Sequence, residues 1–135
     1  MRLEITRRSD LATRALIELA RLDRRTKSVE LAEAIGTTPG FLSQAMTPLA
    51  ANGWVRSVPG PSGGYLLTTD LRDVSVLDVI EAIEGPSEAG RCVLEDRPCG
   101  NGGPCALHQP WQRARAQLLD ELSNSTLAAL SKARP

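Results

Sequence analysis

Apolar residues return every three or four positions through "SDLATRALIELARL", where Leu11, Ala15, Leu16, Leu19 and Leu22 share one side of a helix of 3.6 residues per turn. The pattern predicts a first helix, with Ser9 or Asp10 as the short polar residue that caps its first turn. A second, shorter helix is predicted over "SVELAEAIG". Ser28 is placed to cap it, Val29, Leu31, Ala32 and Ile35 repeat on one face, and Gly36 ends it. In "TTPGFLSQAMTPLAANGWV" either Thr37 or Thr38 can cap and Pro39 suits the first helical position. Phe41, Leu42, Ala45, Met46 and Leu49 then form the apolar stripe until "ANG". Pro48 removes a backbone donor from that helix, so a bend or an early end is expected there.

A helix, a glycine turn and a second helix make a helix-turn-helix. The chain then becomes extended: "WVRSVPGPSGGYLLT" reads as strand Trp54 to Val58, a turn over Pro59 to Gly64, and strand Tyr65 to Thr68. A hairpin directly behind a helix-turn-helix is a wing. "SVLDVIEAIEG" returns to helix, with Ser75 and Asp78 spaced as a capping box and Gly85 as terminator. A last helix is predicted over "WQRARAQLLDELSNSTLAALSKA", with Trp111, Leu118 and Leu122 on one stripe and a break near Asn124. The fold class is therefore mainly α with a small β-hairpin, a winged helix-turn-helix. With 135 residues there is room for one compact domain. Only four residues are aromatic, so the core must be built from aliphatic side chains.

Charge sharpens this picture. The chain as a whole is neutral, but residues 1–66 hold nine Lys or Arg against six acids, and the remainder holds seven against ten. The basic front half coincides with the helix-turn-helix and points to an anionic partner, double-stranded DNA. The second helix of this motif enters the major groove by its N-terminal end, which exposes Thr37, Thr38, Ser43, Gln44 and Thr47. Gln44 is the best candidate base reader, because its amide can donate to and accept from adenine at once. Arg7, Arg8, Arg14 and Arg56 suit phosphate contacts, which set register and salt dependence rather than sequence. Each of these side chains could equally be an ordinary solvated one; the order of elements is what favours DNA.

All three cysteines, Cys92, Cys99 and Cys105, and the only histidine, His108, fall within "RCVLEDRPCGNGGPCALH". Thiolates are soft ligands that suit iron-sulfur clusters, zinc or monovalent copper, and "GNGGP" lets the backbone fold closely around a centre. Cys105 and His108 would share a face if the chain enters its helix there. Three Cys and one His also make a closed zinc site, although the short C-x-x-C pairing usual in zinc modules is missing. Metal-free thiols, or a redox switch that forms a disulfide, are the remaining readings; clustering within fourteen residues favours a metal. An odd number of cysteines cannot all pair within the chain, which points to the reducing cytoplasm. "MRLEITRRSD" does not read as a secretory signal, and no apolar run is long enough for a membrane span. A single histidine and no C-x-x-C leave little for acid-base or nucleophilic chemistry, so no enzyme is expected.

Taken in order, "SDLATRALIELA", "GFLSQAMTPLAANGWVRSVPGPSGGYLL", "VLDVIEAIEG" and the cysteine loop resemble the Rrf2 family of winged-helix transcription regulators, from Met1 to about Ala129. The resemblance implies a homodimer on a palindromic operator, acting as a repressor or activator and sensing nitric oxide, redox or iron-sulfur status. It divides the chain into a DNA-binding region over 1–85, a cluster-binding loop over 86–108, and a dimerisation helix with its tail over 109–135. Each wing tip, with Ser62 and Gly63, would reach toward a minor groove. Cys92, Cys99 and Cys105 would hold an iron-sulfur cluster. In one branch of the family a histidine three residues after the last cysteine completes a two-iron cluster, which maps to His108. In another an aspartate at the start of the first helix, given by the other subunit, completes a four-iron cluster, which maps to Asp10. The similarity of the first helix tips the expectation slightly toward Asp10 and four irons. Two features depart from the family pattern: Pro59 stands where one branch has an arginine before the wing's Gly-Pro, and the spacing from Cys92 to Cys99 is one residue longer than the commonest.

Overall fold

The computed structural model describes residues 1–61, 63–87, 92–94, 99 and 103–133. Among them run α1 (Arg7–Leu22), α2 (Ser28–Ile35), α3 (Pro39–Ala51), β1 (Val55–Val58), β2 (Gly64–Leu67), α4 (Val76–Glu84), α5 (His108–Asn124) and α6 (Leu127–Ala133). The expected α fold with one hairpin is the observed one. A short 3-10 turn over Leu71–Asp73, which the apolar pattern did not announce, carries the chain from the wing to α4. Its N-cap Asp70 accepts from the Arg72 amide, and Leu71 is buried.

The core forms where α1, α2, α3 and α4 meet. Ala12, Ala15, Leu16 and Leu19 of α1 lie against Leu31, Leu42, Ala45, Met46, Leu49, Val79 and Ile83, with Val55 and Leu127 closing its ends. Aliphatic and alanine side chains fill it, and Trp54 and Tyr65 pack only at its edge. Small residues on α1 let the neighbouring helices approach closely.

Three expectations about helix starts and faces are corrected. The cap of α1 is Thr6, whose Oγ1 accepts from the Ser9 amide at 3.2 Å, not Ser9 or Asp10. Ser9 is instead fully buried inside the first turn and donates its hydroxyl to Glu84 at the end of α4, at 3.0 Å. A tertiary acceptor thus took the hydroxyl that local capping would have used. Ser28 is the first residue of α2 rather than its cap; Lys27 holds the cap position and no side chain caps the helix. Val29 and Phe41, read as core, are 58% and 61% exposed. Each sits to the side of a stripe that is complete without it, since one residue turns a helix by about 100°.

Helix α3 begins as anticipated, with Thr38 capping the Phe41 amide and Pro39 in the first turn. It does not end at Pro48 but runs on to Ala51. The Pro48 carbonyl then accepts from both the backbone and the side-chain amide of Asn52, which closes the C-terminus. The capping box of α4 is present in both directions, Ser75 Oγ on the Asp78 amide and the Asp78 carboxylate on the Ser75 amide.

Strands β1 and β2 pair antiparallel, with Arg56 opposite Leu66 and Ser57 opposite Tyr65. Thr26, just before α2, adds a third edge: its amide and carbonyl exchange hydrogen bonds with Tyr65 at 2.9 and 2.8 Å. That contact requires Gly64, whose φ is +139° and where a Cβ would stand 2.2 Å from the Thr26 carbonyl oxygen. These backbone bonds fix the wing to the helix-turn-helix alongside the packing of Val55, Tyr65 and Leu67 on the core.

The C-terminal helix starts at His108, three residues earlier than expected, and breaks after Asn124 as expected. At the break, Val76 N–H bonds the Ser125 carbonyl and Leu127 N–H bonds that of Val74, returning α6 to the core. No residue of α5 is buried. No helix among the described residues is long and apolar enough to cross a membrane.

Candidate nucleic-acid interface and metal centre

The first turn of α3 projects from the body. Thr38, Ser43, Gln44 and Thr47 are all exposed, while Leu42, Ala45, Met46 and Leu49 point inward. Thr38 spends its lone pair on the Phe41 amide and keeps its proton to donate; Thr47 donates to the Ser43 carbonyl at 3.0 Å. Ser43 and Thr47 border a shallow cleft shared with Ser57 and Tyr65 of the hairpin, so α3 and the wing form one continuous surface.

Arg7, Arg8 and Arg56 are exposed and form no ion pair among the described residues, which leaves their guanidinium groups available to phosphate. Arg14 differs. Its Nε lies 2.9 Å from Asp10 Oδ2, so it is already committed within α1. Arg21 and Arg24 are likewise paired, with Glu18 and Glu30. Gly63 is buried and its amide donates to the Gly60 carbonyl at 3.0 Å; a Cβ there would stand 1.9 Å from the Val58 carbonyl oxygen. Its backbone amide serves the hairpin turn. Ser62 lies outside the described residues, as do 88–91, 95–98 and 100–102 of the loop over 86–108.

The cysteines do converge. The Sγ atoms of Cys92, Cys99 and Cys105 lie within 4.8 Å of one another, and Cys92 and Cys105 are 3.9 Å apart. His108 opens α5 with its amide bonded to the Cys105 carbonyl, and that turn brings Nδ1 to 3.7 Å from Cys99 Sγ. The early start of α5 is thus what delivers the imidazole. All four side chains are half-buried.

The Cys105 amide donates to the Cys99 sulfur and pulls its pKa down, but desolvation and the thiols of Cys92 and Cys105 outweigh it, leaving the thiol above its ordinary range. Three thiols this close ionise together only with a cation among them, which makes the group a candidate metal site. Three soft sulfurs and one imidazole fit an iron-sulfur centre or a single thiophilic ion.

Asp10 does not join them within the chain. Besides its ion pair with Arg14, it lines a cleft of about 340 Å³ with Ile5, Ile17, Val76, Leu122 and Leu130, between α1 and the end of α5. Glu84, one residue before the Gly85 that ends α4, holds Ser9 on α1. Nothing in the periodicity announced that bond, since its partners are 75 residues apart.

Comparison with known proteins gives a consistent answer. Residues 5–133 match the sequence profile of the Rrf2 family, described as iron-dependent transcriptional regulators. The HTH-type transcriptional regulator IscR of Klebsiella pneumoniae (strain 342) is 34% identical over 131 residues, covering 95% of this chain and 79% of that protein. IscR of Escherichia coli O1:K1 / APEC is also 34% identical, with 95% and 80% covered. Among solved structures, CymR, the global cysteine regulator of B. subtilis, superposes with a TM-score of 0.80 at 24% identity, covering 99% of this chain and all of that one. The oxidized form of Staphylococcus aureus CymR gives 0.74 at 28% identity, with 96% of each chain covered. IscR of T. potens gives 0.76 at 24%, with 97% and 88% covered.

Proposed function

Because the chain belongs to the Rrf2 family of transcriptional regulators, and its relatives are DNA-binding regulators rather than enzymes, we propose that an iron-sulfur centre sets its affinity for a palindromic operator. The convergence of Cys92, Cys99 and Cys105 with His108 is the observation that carries this reading. The three thiolates anchor the centre. His108 is the fourth donor within the chain's own reach, whereas Asp10 would have to come from a second copy. When bound, such a centre supplies reactivity toward nitric oxide or oxidants and a dependence on iron-sulfur supply. The reducing cytoplasm is where these thiols would keep that capacity.

The protein's own part is to hold the loop and transmit its state. The loop leaves directly from α4, α4 is tied to α1 by Ser9 and Glu84, and α1 packs against α3. A change in how the loop is held therefore shifts elements in contact with the reading helix. Two copies, joined along α5, present two α3 helices and two wings to the half-sites, acting as a repressor when bound over a promoter. Gln44 reads a base, Ser43, Thr38 and Thr47 support it, and Arg7, Arg8 and Arg56 hold phosphates. Linkage demands that operator binding alter the centre's stability by the same coupling energy.

One observation favours a second reading. A single tetrahedral zinc with Zn–S near 2.3 Å sets its sulfurs about 3.8 Å apart, close to the 3.9 Å between Cys92 and Cys105. A lone ion of this kind would stabilise the loop without sensing. Oxygen-free purification separates the two: iron, acid-labile sulfide and visible absorbance that vanish in Cys99→Ala support the cluster, and a colourless protein with one zinc per chain supports the lone ion. Comparing His108→Ala with Asp10→Ala identifies the fourth donor by which spectrum changes.

A further inference from the structure

Phe41 is the aromatic side chain the core does not take. Trp54 and Tyr65 pack against the core and Trp111 is half-buried, but Phe41 is 61% exposed. It stands in the first turn of α3, where Thr38 fixes its amide. Its neighbour Gly40 adds a second observation. Gly40 does not adopt positive φ, and a Cβ there would meet nothing nearer than Thr38 Oγ1 at 4.0 Å. Neither backbone conformation nor internal packing asks for glycine, which is a poor helix former. The missing side chain makes sense if another surface comes close to the first turn of α3.

α3 carries no charged residue from Pro39 to Ala51, so its chemistry toward a duplex is limited to hydroxyls, amides and apolar surface. In the major groove one base feature is apolar, the 5-methyl group of thymine. We infer that Phe41 reads a thymine methyl in each operator half-site, with Gly40 clearing the approach of the α3 backbone to the duplex. This inference rests on α3 being the reading helix. It assigns to Phe41 a specificity that Gln44, through its hydrogen bonds, does not supply.

The test uses the full chain, purified without oxygen so that its metal is retained. A preferred duplex is first enriched by the wild type from a randomised pool, and each thymine is then replaced in turn by deoxyuridine, which lacks only the methyl. One thymine per half-site is expected to respond, by about four-fold for one site and about fifteen-fold for both, the value of one and two buried methyl groups. Phe41→Ala should bind more weakly and lose that response at that thymine alone, while melting at the same temperature, because the side chain is outside the core. Phe41→Leu should restore part of it. Gly40→Ala should fold normally and bind every sequence less well. A wild type indifferent to every thymine-to-uracil change, or a Phe41→Ala protein that keeps the same response, overturns the role of Phe41. A wild type that enriches no sequence overturns the reading role of α3 along with it.

Discussion

Helices α1 and α5 are nearly equal in length, 16 and 17 residues, yet they have opposite fates. α1 buries Ser9, Leu11, Ala12, Thr13, Ala15, Leu16 and Leu19, and α5 buries nothing. The poverty of burial on α5 is not for want of apolar side chains, since Trp111, Leu118, Leu119 and Leu122 all belong to it and Leu118 is 46% exposed. One helix is finished within its own chain and organises the core. The other carries apolar side chains that are only half-covered, with Leu118 left exposed, which suits the proposed pairing with a second copy. The contrast separates the helix that makes the fold from the one proposed to make the assembly.

The sharpest way to test the first half of that contrast is Leu16→Ala. Removing a fully buried leucine from the helix at the centre of the core should cost about 2–5 kcal/mol in denaturant unfolding. A loss below about 1 kcal/mol would deny α1 its central place. Leu118→Arg probes the other half: it should leave the unfolding midpoint of the chain nearly unchanged while shifting sedimentation from dimer to monomer, a weakening of roughly 30-fold or more for a charge forced into an apolar contact. A mutant still fully dimeric would remove α5 as the interface.

Smaller effects refine the picture. Thr6→Ala should cost about 1 kcal/mol and Ser9→Ala should loosen the joint between α1 and α4, while no such cap operates on α5, whose N-cap position is Leu107. Least of all, Arg7→Ala on the exposed start of α1 should weaken binding to all duplexes evenly and flatten the salt dependence by about one unit. Arg14→Ala should do neither, because Asp10 already holds that side chain. Titrating operator binding against salt for both variants distinguishes them.

How far these roles were readable varies with the range of the interactions behind them. The helix-turn-helix spacing, the Thr38 cap, the Ser75–Asp78 box and the hairpin are local, and each depends on side chains within a few positions. The grouping of the thiols was visible in their crowding along the chain. The choice of Thr6 over Ser9 as cap was not, because Ser9 answers to Glu84, distant in sequence. The exposure of Phe41 was hidden by its place at the margin of an apolar stripe, where neither side of the helix is excluded by pattern alone. The Asp10–Arg14 pair was legible, being four residues apart on a helix, but a cap or a metal competed for Asp10 and a phosphate for Arg14.

Operator affinity of one oxygen-free preparation, measured before and after nitric oxide or a chelator strips the proposed metal centre, bears most directly on the proposed control of DNA binding. A change of about ten-fold or more, absent when Cys99→Ala is treated in the same way, is the predicted result. Equal affinity of the loaded and stripped protein, with iron demonstrably removed, would contradict it.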